Sequence, residues 1–272
     1  MVMKRNAMRR NLRQSIFKSF GRYIAIAMII ALGAGLFVGL LMTKADMIAT
    51  GQQFIDRQNM FDFRMICNYG WTDEYLEKFS QLEGVEAAEG TVYLDLIAKT
   101  GNTEEDSVYR FYSMPENINK IELRSGRMPE KANECLADGY FNDESLIGQS
   151  VLISKTNDED DMDAIRFRKF TIVGLVSSPL YMDMNRGTTS VGSGSLENYY
   201  YIPSRALDVD YYSEIYLTIP GEHAIYSDEY QDVLDAALDT LEPQAEIFAQ
   251  NRYQKIKDEA EEEYADGYQD YI

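Results

Sequence analysis

Residues 23–42 read YIAIAMIIALGAGLFVGLLM, a run of twenty residues without a charged side chain. As an α-helix rising about 1.5 Å per residue, this run is roughly 30 Å long, which matches the hydrocarbon core of a bilayer. Ten of its residues are Ile, Leu, Phe or Val, and each favours insertion by about 0.3–0.6 kcal/mol near the bilayer centre. The run therefore predicts a transmembrane helix.

A cleaved signal peptide is the alternative for this run. The apolar core of a signal peptide spans only about 7–15 residues and ends at a small-x-small cleavage site. The run here is longer, and the following Thr43-Lys44-Ala45 is a poor cleavage site. The pattern favours an uncleaved anchor.

The residues before the span decide its predicted orientation. Residues 1–22 carry seven basic side chains and no acidic one, and flanking Lys and Arg hold a segment in the cytoplasm. We therefore expect a cytoplasmic N-terminus, a plasma-membrane location and an extracytoplasmic main domain. Four apolar residues share one helical face of this segment: Leu12, Ile16, Phe17 and Phe20. They predict a short amphipathic helix on the lipid surface, with a disordered basic tail as the alternative.

Small residues recur every four positions along the span, at Ala27, Ala31, Gly35 and Gly39. A face of this kind lets a second helix backbone approach closely, as in the GxxxG pairs of membrane helices. We predict that it packs against another transmembrane helix. The alternative is that Gly and Ala are simply frequent in membrane helices.

The rest of the chain is strongly acidic. Seven of the 26 basic residues lie in residues 1–22, which leaves 19 basic and 45 acidic side chains in residues 43–272. A domain with this charge repels nucleic acid and anionic lipid, so nucleic-acid binding is disfavoured.

Beyond the span, the pattern predicts an α+β domain with mixed sheets. Residues 43–60 contain no proline and should extend the membrane helix as a stalk, and residues 61–243 should form the domain. Alternating apolar and polar residues predict strands at 61–70, 90–99, 107–114, 148–155, 167–179, 196–204 and 212–220.

Two helices are predicted inside this domain. The first follows an N-cap at Thr72, stops before Gly84 and buries the stripe Tyr75, Leu76, Phe79 and Leu82. The second covers residues 227–241 and buries Tyr230, Val233, Leu234, Ala237, Leu238 and Leu241. Residues 244–272 are charged and helical in pattern, which predicts the start of a long helix or coiled coil in an N-terminal fragment of a longer protein.

No catalytic or metal-site motif occurs in the sequence. There is neither a GxxxxGK[ST] phosphate loop nor a GxSxG nucleophile motif, and the only histidine, His223, is interpreted as a surface residue. The acidic run 158–163 lacks the glycine of an EF-hand loop, so we interpret it as a solvated hairpin tip. Cys67 and Cys135 have no metal-ligand spacing, and two free thiols or one disulfide both remain open. We expect no enzyme activity, cofactor or metal.

Four stretches carry a resemblance to a known family. They are SIFKSFGRYIAIAMIIALGAGLFVGL (15–40), LRSGRMPEKANECLAD (123–138), FTIVGLVSSPLYM (170–182) and GSGSLENYYYIP (192–203). Their shared motif residues are Gly126, Arg127, Pro129, Asn133, Glu134, Gly174, Val176, Pro179, Gly192 and Gly194. In this order the stretches resemble the first membrane helix and the MacB-like periplasmic core domain of FtsX-like ABC transporter permeases.

The resemblance implies a function for the chain. It implies the N-terminal part of a permease subunit that transmits motion, driven by a separate ABC ATPase subunit, to an outer domain that handles peptide, lipid, lipoprotein or another protein. The trailing helix resembles the coiled-coil insertion of large Gram-positive members. The family has at least four membrane helices and this chain has one, which fits a fragment.

The resemblance also implies structural roles for the motif residues. The four motif glycines, Gly126, Gly174, Gly192 and Gly194, should permit turns or bulges. Arg127 should either pair with Glu134 or be solvated. The alternative function for the chain is a single-pass sensor or adhesin with a ligand-binding outer domain and no ATPase.

Overall fold

The computed structural model describes residues 8, 13, 14, 17–101, 103, 105–221 and 224–270. The chain divides into two compact units, residues 1–53 and residues 54–272. The predicted amphipathic helix over residues 1–22 falls largely outside the described residues, and His223 does so entirely.

The first long helix, α1, covers Phe20–Gln58 without interruption. No proline occurs in it, and the predicted span and the predicted stalk are parts of this one helix. Every side chain from Phe20 to Met47 is exposed. Among the described residues, α1 is the one helix that is long and apolar enough to cross a membrane.

Ten strands, three more α-helices and two short 3₁₀ helices, Glu144–Leu146 and Ser204–Ala206, follow in the described part of the second unit. The strands are β1 Phe63–Trp71, β2 Ala87–Thr91, β3 Tyr93–Thr100, β4 Ser107–Ser113, β5 Glu122–Gly126, β6 Glu134–Asp138, β7 Ser150–Ile153, β8 Lys169–Ser177, β9 Asn198–Ile202 and β10 Tyr212–Thr218. The helices are α2 Asp73–Ser80, α3 Glu159–Asp163 and α4 Asp228–Asp270.

Six strands close into a barrel in the order β8-β6-β9-β4-β3-β7. The barrel closes because β7 pairs with β3 on one side and with β8 on the other. The pairs β4–β9 and β6–β8 are parallel, whereas β3–β4 and β6–β9 are antiparallel. Outside the closed ring, β5 adds to β8 in antiparallel sense. The predicted α+β class with mixed sheets is confirmed.

Side chains from alternate strand positions fill the barrel. On β3, Leu94, Leu96 and Ala98 are buried in its core, as the period of two in a strand requires. The consecutive tyrosines of β9 are also buried: Tyr200 belongs to the barrel core, and Tyr199 and Tyr201 belong to a cluster on the other face. Both faces of β9 are therefore covered, which explains why three aromatic residues can follow one another there.

A separate three-stranded sheet, here called the small sheet, has the order β1-β10-β2 and is antiparallel. Its core residues pack with α2 and α4. The ring of Phe79 lies 5.1 Å from both Trp71 and Phe248, edge-on in each case. Thr72 precedes α2 as predicted, but its side chain makes no capping hydrogen bond. Packing, not capping, therefore holds α2 in place.

The long helix α4 differs from the prediction in two ways. It runs through Pro243 as one helix, so the predicted helix over residues 227–241 and the predicted trailing helix from residue 244 are continuous. Leu238 is 43% exposed, so its predicted burial is wrong. Leu238 follows the buried Ala237 by one residue, which turns its side chain about 100° away from the core.

One predicted strand is divided between two sheets. The predicted strand 90–99 is the end of β2 and most of β3, which lie in different sheets with Val92 between them. The acidic run 158–163 lies largely exposed in the connection between the antiparallel strands β7 and β8, as predicted for a hairpin tip, and it contains the short helix α3.

The two cysteines are both free thiols. Half-buried Cys67 lies on β1 of the small sheet, and buried Cys135 lies on β6 of the barrel. The disulfide alternative is therefore wrong. Burial raises the pKa of the Cys135 thiol well above its usual range, which keeps it protonated and unreactive.

Candidate functional site: the helix–domain junction

The C-terminal end of α1 is closed by a Schellman cap. Asn59 adopts the left-handed conformation with φ 47°, which glycine and asparagine tolerate best. The amide of Met60 donates to the carbonyl of Ile55 at 3.1 Å, and the amide of Asn59 donates to that of Asp56 at 3.2 Å. The direction in which the chain leaves the helix is fixed by these two bonds.

The last carbonyls of α1 are held by the loop before β5. A helix leaves its final carbonyl groups without internal partners. Here the amide of Lys120 donates to the carbonyl of Gln58 at 2.7 Å, and that of Asn119 donates to the carbonyl of Asn59 at 2.9 Å. The Nδ2 atom of Asn59 donates to the carbonyl of Asn117 at 2.9 Å. Gln58 and Asn119 are both buried, whereas the bond from Asn59 to Asn117 is exposed.

Asp62 connects the chain leaving α1 to the small sheet and to α4. Its amide donates to the carbonyl of Leu217 at 2.9 Å, and its Oδ2 accepts from the amide of Ile219 at 2.8 Å. Its Oδ1 accepts a hydrogen bond from the hydroxyl of Tyr230, in the first turn of α4. Burial, and then the bond to Asp62, raise the pKa of Tyr230 above its usual range, so the hydroxyl stays a donor.

The loop that receives α1 is itself held by the small sheet. The carboxylate of Glu89 on β2 accepts hydrogen bonds from the amides of Glu116, Asn117 and Ile118, each at 2.8 Å. Charge-assisted bonds of this kind are roughly twice as strong as neutral ones. The loop then continues into β5 beside the barrel. One end of α1 is therefore bonded to a loop that spans both sheets.

We call these residues the junction: Gln58, Asn59, Asp62, Glu89, Asn119 and Tyr230. The carboxylates and the hydroxyl of the junction are taken up in hydrogen bonds, and the described residues hold no cluster able to bind a metal. The residues at and just after the end of α1 are thus bonded to the loop before β5, to β10 and to α4. An exposed ion pair, Arg57 to Glu122 at 3.1 Å, adds little to this.

Several of the motif residues meet at a different place, where β5 and β6 lie against β8. A Cβ on Gly126, which has φ 83°, would lie 2.3 Å from the carbonyl of Val173, and one on Gly174 would lie 2.7 Å from the carbonyl of Arg127. Only glycine permits this approach. The guanidinium of Arg127 makes two bonds, at 2.7 and 2.8 Å, to the carboxylate of Glu134.

This ion pair is supported by the backbone around Pro129. The Oε2 atom of Glu134 also accepts from the amides of Glu130 and Lys131, at 2.8 and 3.2 Å. The bonds from Arg127 first, and then those from the backbone, lower the pKa of Glu134 to about 2. The arrangement closes the loop between β5 and β6 and is structural in character.

Comparison with known proteins yields structural neighbours only. No family model matches the chain, and no curated protein sequence does. The chain is similar to the extracellular domain of the noncanonic ABC-type transporter YknZ from Gram-positive bacteria, with 12% identity and a TM-score of 0.37 over 63% of this chain and 86% of that one. It is also similar to the periplasmic region of MacB from Actinobacillus actinomycetemcomitans, with 15% identity and a TM-score of 0.35 over 65% and 75%.

Both neighbours are outer domains of the kind that the sequence resemblance names. The resemblance is confirmed in that the solved structures to which the chain is similar are domains of this kind. At this level of similarity neither neighbour assigns an activity to the chain.

The remaining predicted site residues lie elsewhere. Pro179, Gly192 and Gly194 belong to the long connection between β8 and β9, away from the Arg127–Glu134 pair, and both glycines have left-handed φ angles of 56° and 82°. The small residues Ala27, Ala31, Gly35 and Gly39 lie on α1, where a Cβ added to either glycine would meet nothing within 4 Å.

The residues of the junction were not predicted as a site. A signal existed for Asn59, since asparagine directly after a helical segment marks a left-handed cap. No local signal existed for the contact of Asp62 with Tyr230, which are 168 positions apart.

Proposed function

We propose that this chain is the N-terminal part of an ABC transporter permease, in which a separate subunit hydrolyses ATP. The observation that carries the proposal is the continuity of α1. An exposed apolar helix of bilayer length runs without a break into a capped end, and the cap and the residues after it are bonded to the loop before β5, to the small sheet and to α4. A passive anchor has no need for such a connection.

The proposed mechanism has three parts. Residues 23–42 cross the plasma membrane with the N-terminus inside, and the small face from Ala27 to Gly39 packs on other membrane helices of the permease. Residues 43–58 carry displacement outward, because a continuous hydrogen-bonded helix moves as a stiff rod. The junction passes this displacement to the small sheet and α4, and the outer domain acts on a peptide, lipid or protein outside the membrane.

Affinity capture of the full-length protein from its own cells tests this proposal. A C-terminal tag and a gentle detergent should recover an ABC ATPase together with the permease, and the captured complex should hydrolyse ATP. Gly35→Leu with Gly39→Leu should reduce the recovered ATPase activity, because the bulky side chains hold neighbouring helices apart. Leu32→Ala, at an exposed position on the same helix, serves as the matched control.

The alternative function predicts a different outcome. A single-pass sensor or adhesin should be captured without an ATPase and without ATP hydrolysis, and the double substitution should change neither result. Labelling of introduced cysteines with a membrane-impermeant maleimide supplies the topology. Reaction in intact cells at residue 8 but not at residue 142 would overturn the proposed orientation.

A further inference from the structure

Two loops leave the barrel side by side and are joined by a buried ion pair. Residues 139–147 follow β6 and residues 178–187 follow β8, and these two strands are parallel neighbours. From the second loop, Arg186 reaches Asp138 at the end of β6, with its Nε and Nη2 atoms 2.8 and 2.6 Å from the carboxylate. Neither side chain is more than 3% exposed.

Aromatic rings surround the guanidinium and complete the attachment. Its central carbon lies 4.7 Å from the ring of Phe141, 5.3 Å from that of Tyr181 and 5.5 Å from that of Tyr199. The rings of Tyr181 and Tyr199 stack at 4.5 Å with an interplanar angle of 7°. A buried ion pair is costly to desolvate, so on its own it is weak evidence of added stability. Here it fixes both loops in one conformation.

The fixed loops present apolar side chains to solvent. Tyr140, Phe141, Met182 and Met184 are between 51% and 68% exposed. Phe141 and Met184 line the same open groove, which has a volume of about 640 Å³. We call these four residues the loop patch. Aromatic residues and methionine are the types enriched in protein interfaces, and methionine adapts to varied partners.

The charges around the loop patch indicate the partner. The two loops carry the carboxylates of Asp143, Glu144 and Asp183. Their one basic residue, Arg186, is neutralised by Asp138. Carboxylates in the same loops as an apolar centre repel anionic lipid and attract cations. We propose that the loop patch docks a basic amphipathic helix of a partner protein, with apolar side chains on the patch and Lys or Arg near these carboxylates. This inference does not depend on the transporter proposal.

A titration of the full chain in phosphatidylcholine nanodiscs tests the inference. The probe is a synthetic amphipathic helix of leucine and lysine, and the readout is the NMR signal of isotope-labelled methionine methyl groups. The signals of Met182 and Met184 should shift in a saturable way, and that of Met128, an exposed methionine outside the patch, should not. Phe141→Ser should weaken binding about tenfold or more, as loss of a central apolar anchor does.

Matched controls make the result decisive. Met128→Ser should leave the affinity unchanged, and a peptide with the same composition in a non-amphipathic order should fail to shift the patch methyls. A leucine–glutamate helix that binds equally well would overturn the assignment of a basic partner. Shifts of Met182 and Met184 caused by phosphatidylglycerol vesicles would show a lipid surface as the occupant, and unchanged affinity of Phe141→Ser would refute the site.

Discussion

The barrel and the small sheet of the outer domain are stabilised in different ways. The barrel has paired strands all around, and its core consists largely of residues from its own strands. The small sheet has two open edges, β1 and β2, and its core depends on side chains from α2 and α4. The junction connects to the small sheet through Asp62 and Glu89. The small sheet, whose core depends on helices outside it, is therefore also the sheet that binds Asp62 just after the end of α1.

The largest expected effect tests the barrel. Phe111 is fully buried, and its ring stacks on Tyr200 at 5.3 Å. Phe111→Ala should lower the free energy of unfolding by about 3–5 kcal/mol, through lost burial and a new cavity. Urea unfolding followed by circular dichroism measures it. Leu152→Ala, at an exposed position of β7, should change it by less than about 0.5 kcal/mol, and an equal loss in both variants would contradict this account of the core.

The second prediction tests whether the small sheet can be destabilised while the barrel stays folded. Phe248 on α4 packs its ring against Phe79 and Tyr75. Phe248→Ala should destabilise the small sheet by about 2–3 kcal/mol, less than a fully buried phenylalanine because Phe248 is half-buried. Trp71, the only tryptophan, lies in this core, so its fluorescence reports the change.

Hydrogen exchange completes that test. Amides of β1, β2 and β10 should lose protection in Phe248→Ala, while those of β3, β4 and β9 keep theirs. The control is Ile247→Ala, which changes the neighbouring, 48% exposed residue. It should alter the amide protection of neither the small sheet nor the barrel. Equal loss of amide protection in both sheets would show that the barrel and the small sheet unfold as one cooperative unit. It would contradict the prediction that the small sheet loosens by itself.

The third prediction concerns the contact between Asp62 and Tyr230. Tyr230→Phe removes a hydrogen bond to a carboxylate and should cost about 1.5 kcal/mol. Faster amide exchange in the first turn of α4 and around Asp62, with an unchanged barrel, is the expected result. Tyr226→Phe is the matched control, because Tyr226 is 81% exposed just before α4. If Tyr226→Phe lowered the free energy of unfolding as much as Tyr230→Phe does, the loss could not be assigned to the bond between Tyr230 and Asp62.

The smallest effect is a pH dependence on the barrel side. The pKa of Glu134 is lowered to about 2, so its ionised form contributes stability that is present above its ordinary pKa near 4.5. That contribution is lost as the pH falls through about 2. Glu134→Gln should flatten the change in urea midpoint between about pH 5 and pH 2.5. The effect is small because the side chain of Arg127 is 46% exposed. Glu130→Gln should keep the wild-type slope, and a slope unchanged in Glu134→Gln would refute the assignment.

The same contrast explains what could be predicted from the sequence. Strong local patterns predicted α1, the stripe of α2 on Tyr75 and Phe79, and the strands β7 and β8 on either side of the acidic run 158–163. The split at Val92 has no local cause: the amide of Val92 bonds Ser113 near the barrel, and that of Tyr93 bonds Ser213 near the small sheet. Partners distant in sequence decide such a change of sheet.

Two short strands were missed for a related reason. β5 has one apolar residue, Leu123, and β6 is five residues long and buried throughout, so neither shows an alternating pattern; both are strands because they pair with the two sides of β8. The contact of Arg127 with Glu134 could be predicted as one of two alternatives, since the two residues are close in sequence. The loop patch could not be predicted, because Arg186 and Asp138 meet only when β6 and β8 lie parallel.

The bond between Asp62 and Tyr230 has a consequence for how the residues between them are connected to the rest of the chain. It places the residue just before β1 next to the first turn of α4, so the 167 residues between them begin and end at one point. A domain whose two ends lie close together tolerates insertion into a longer chain. Residues 63–229 leave and rejoin the rest of the chain at one place in this way, while their small sheet still shares its core with α4.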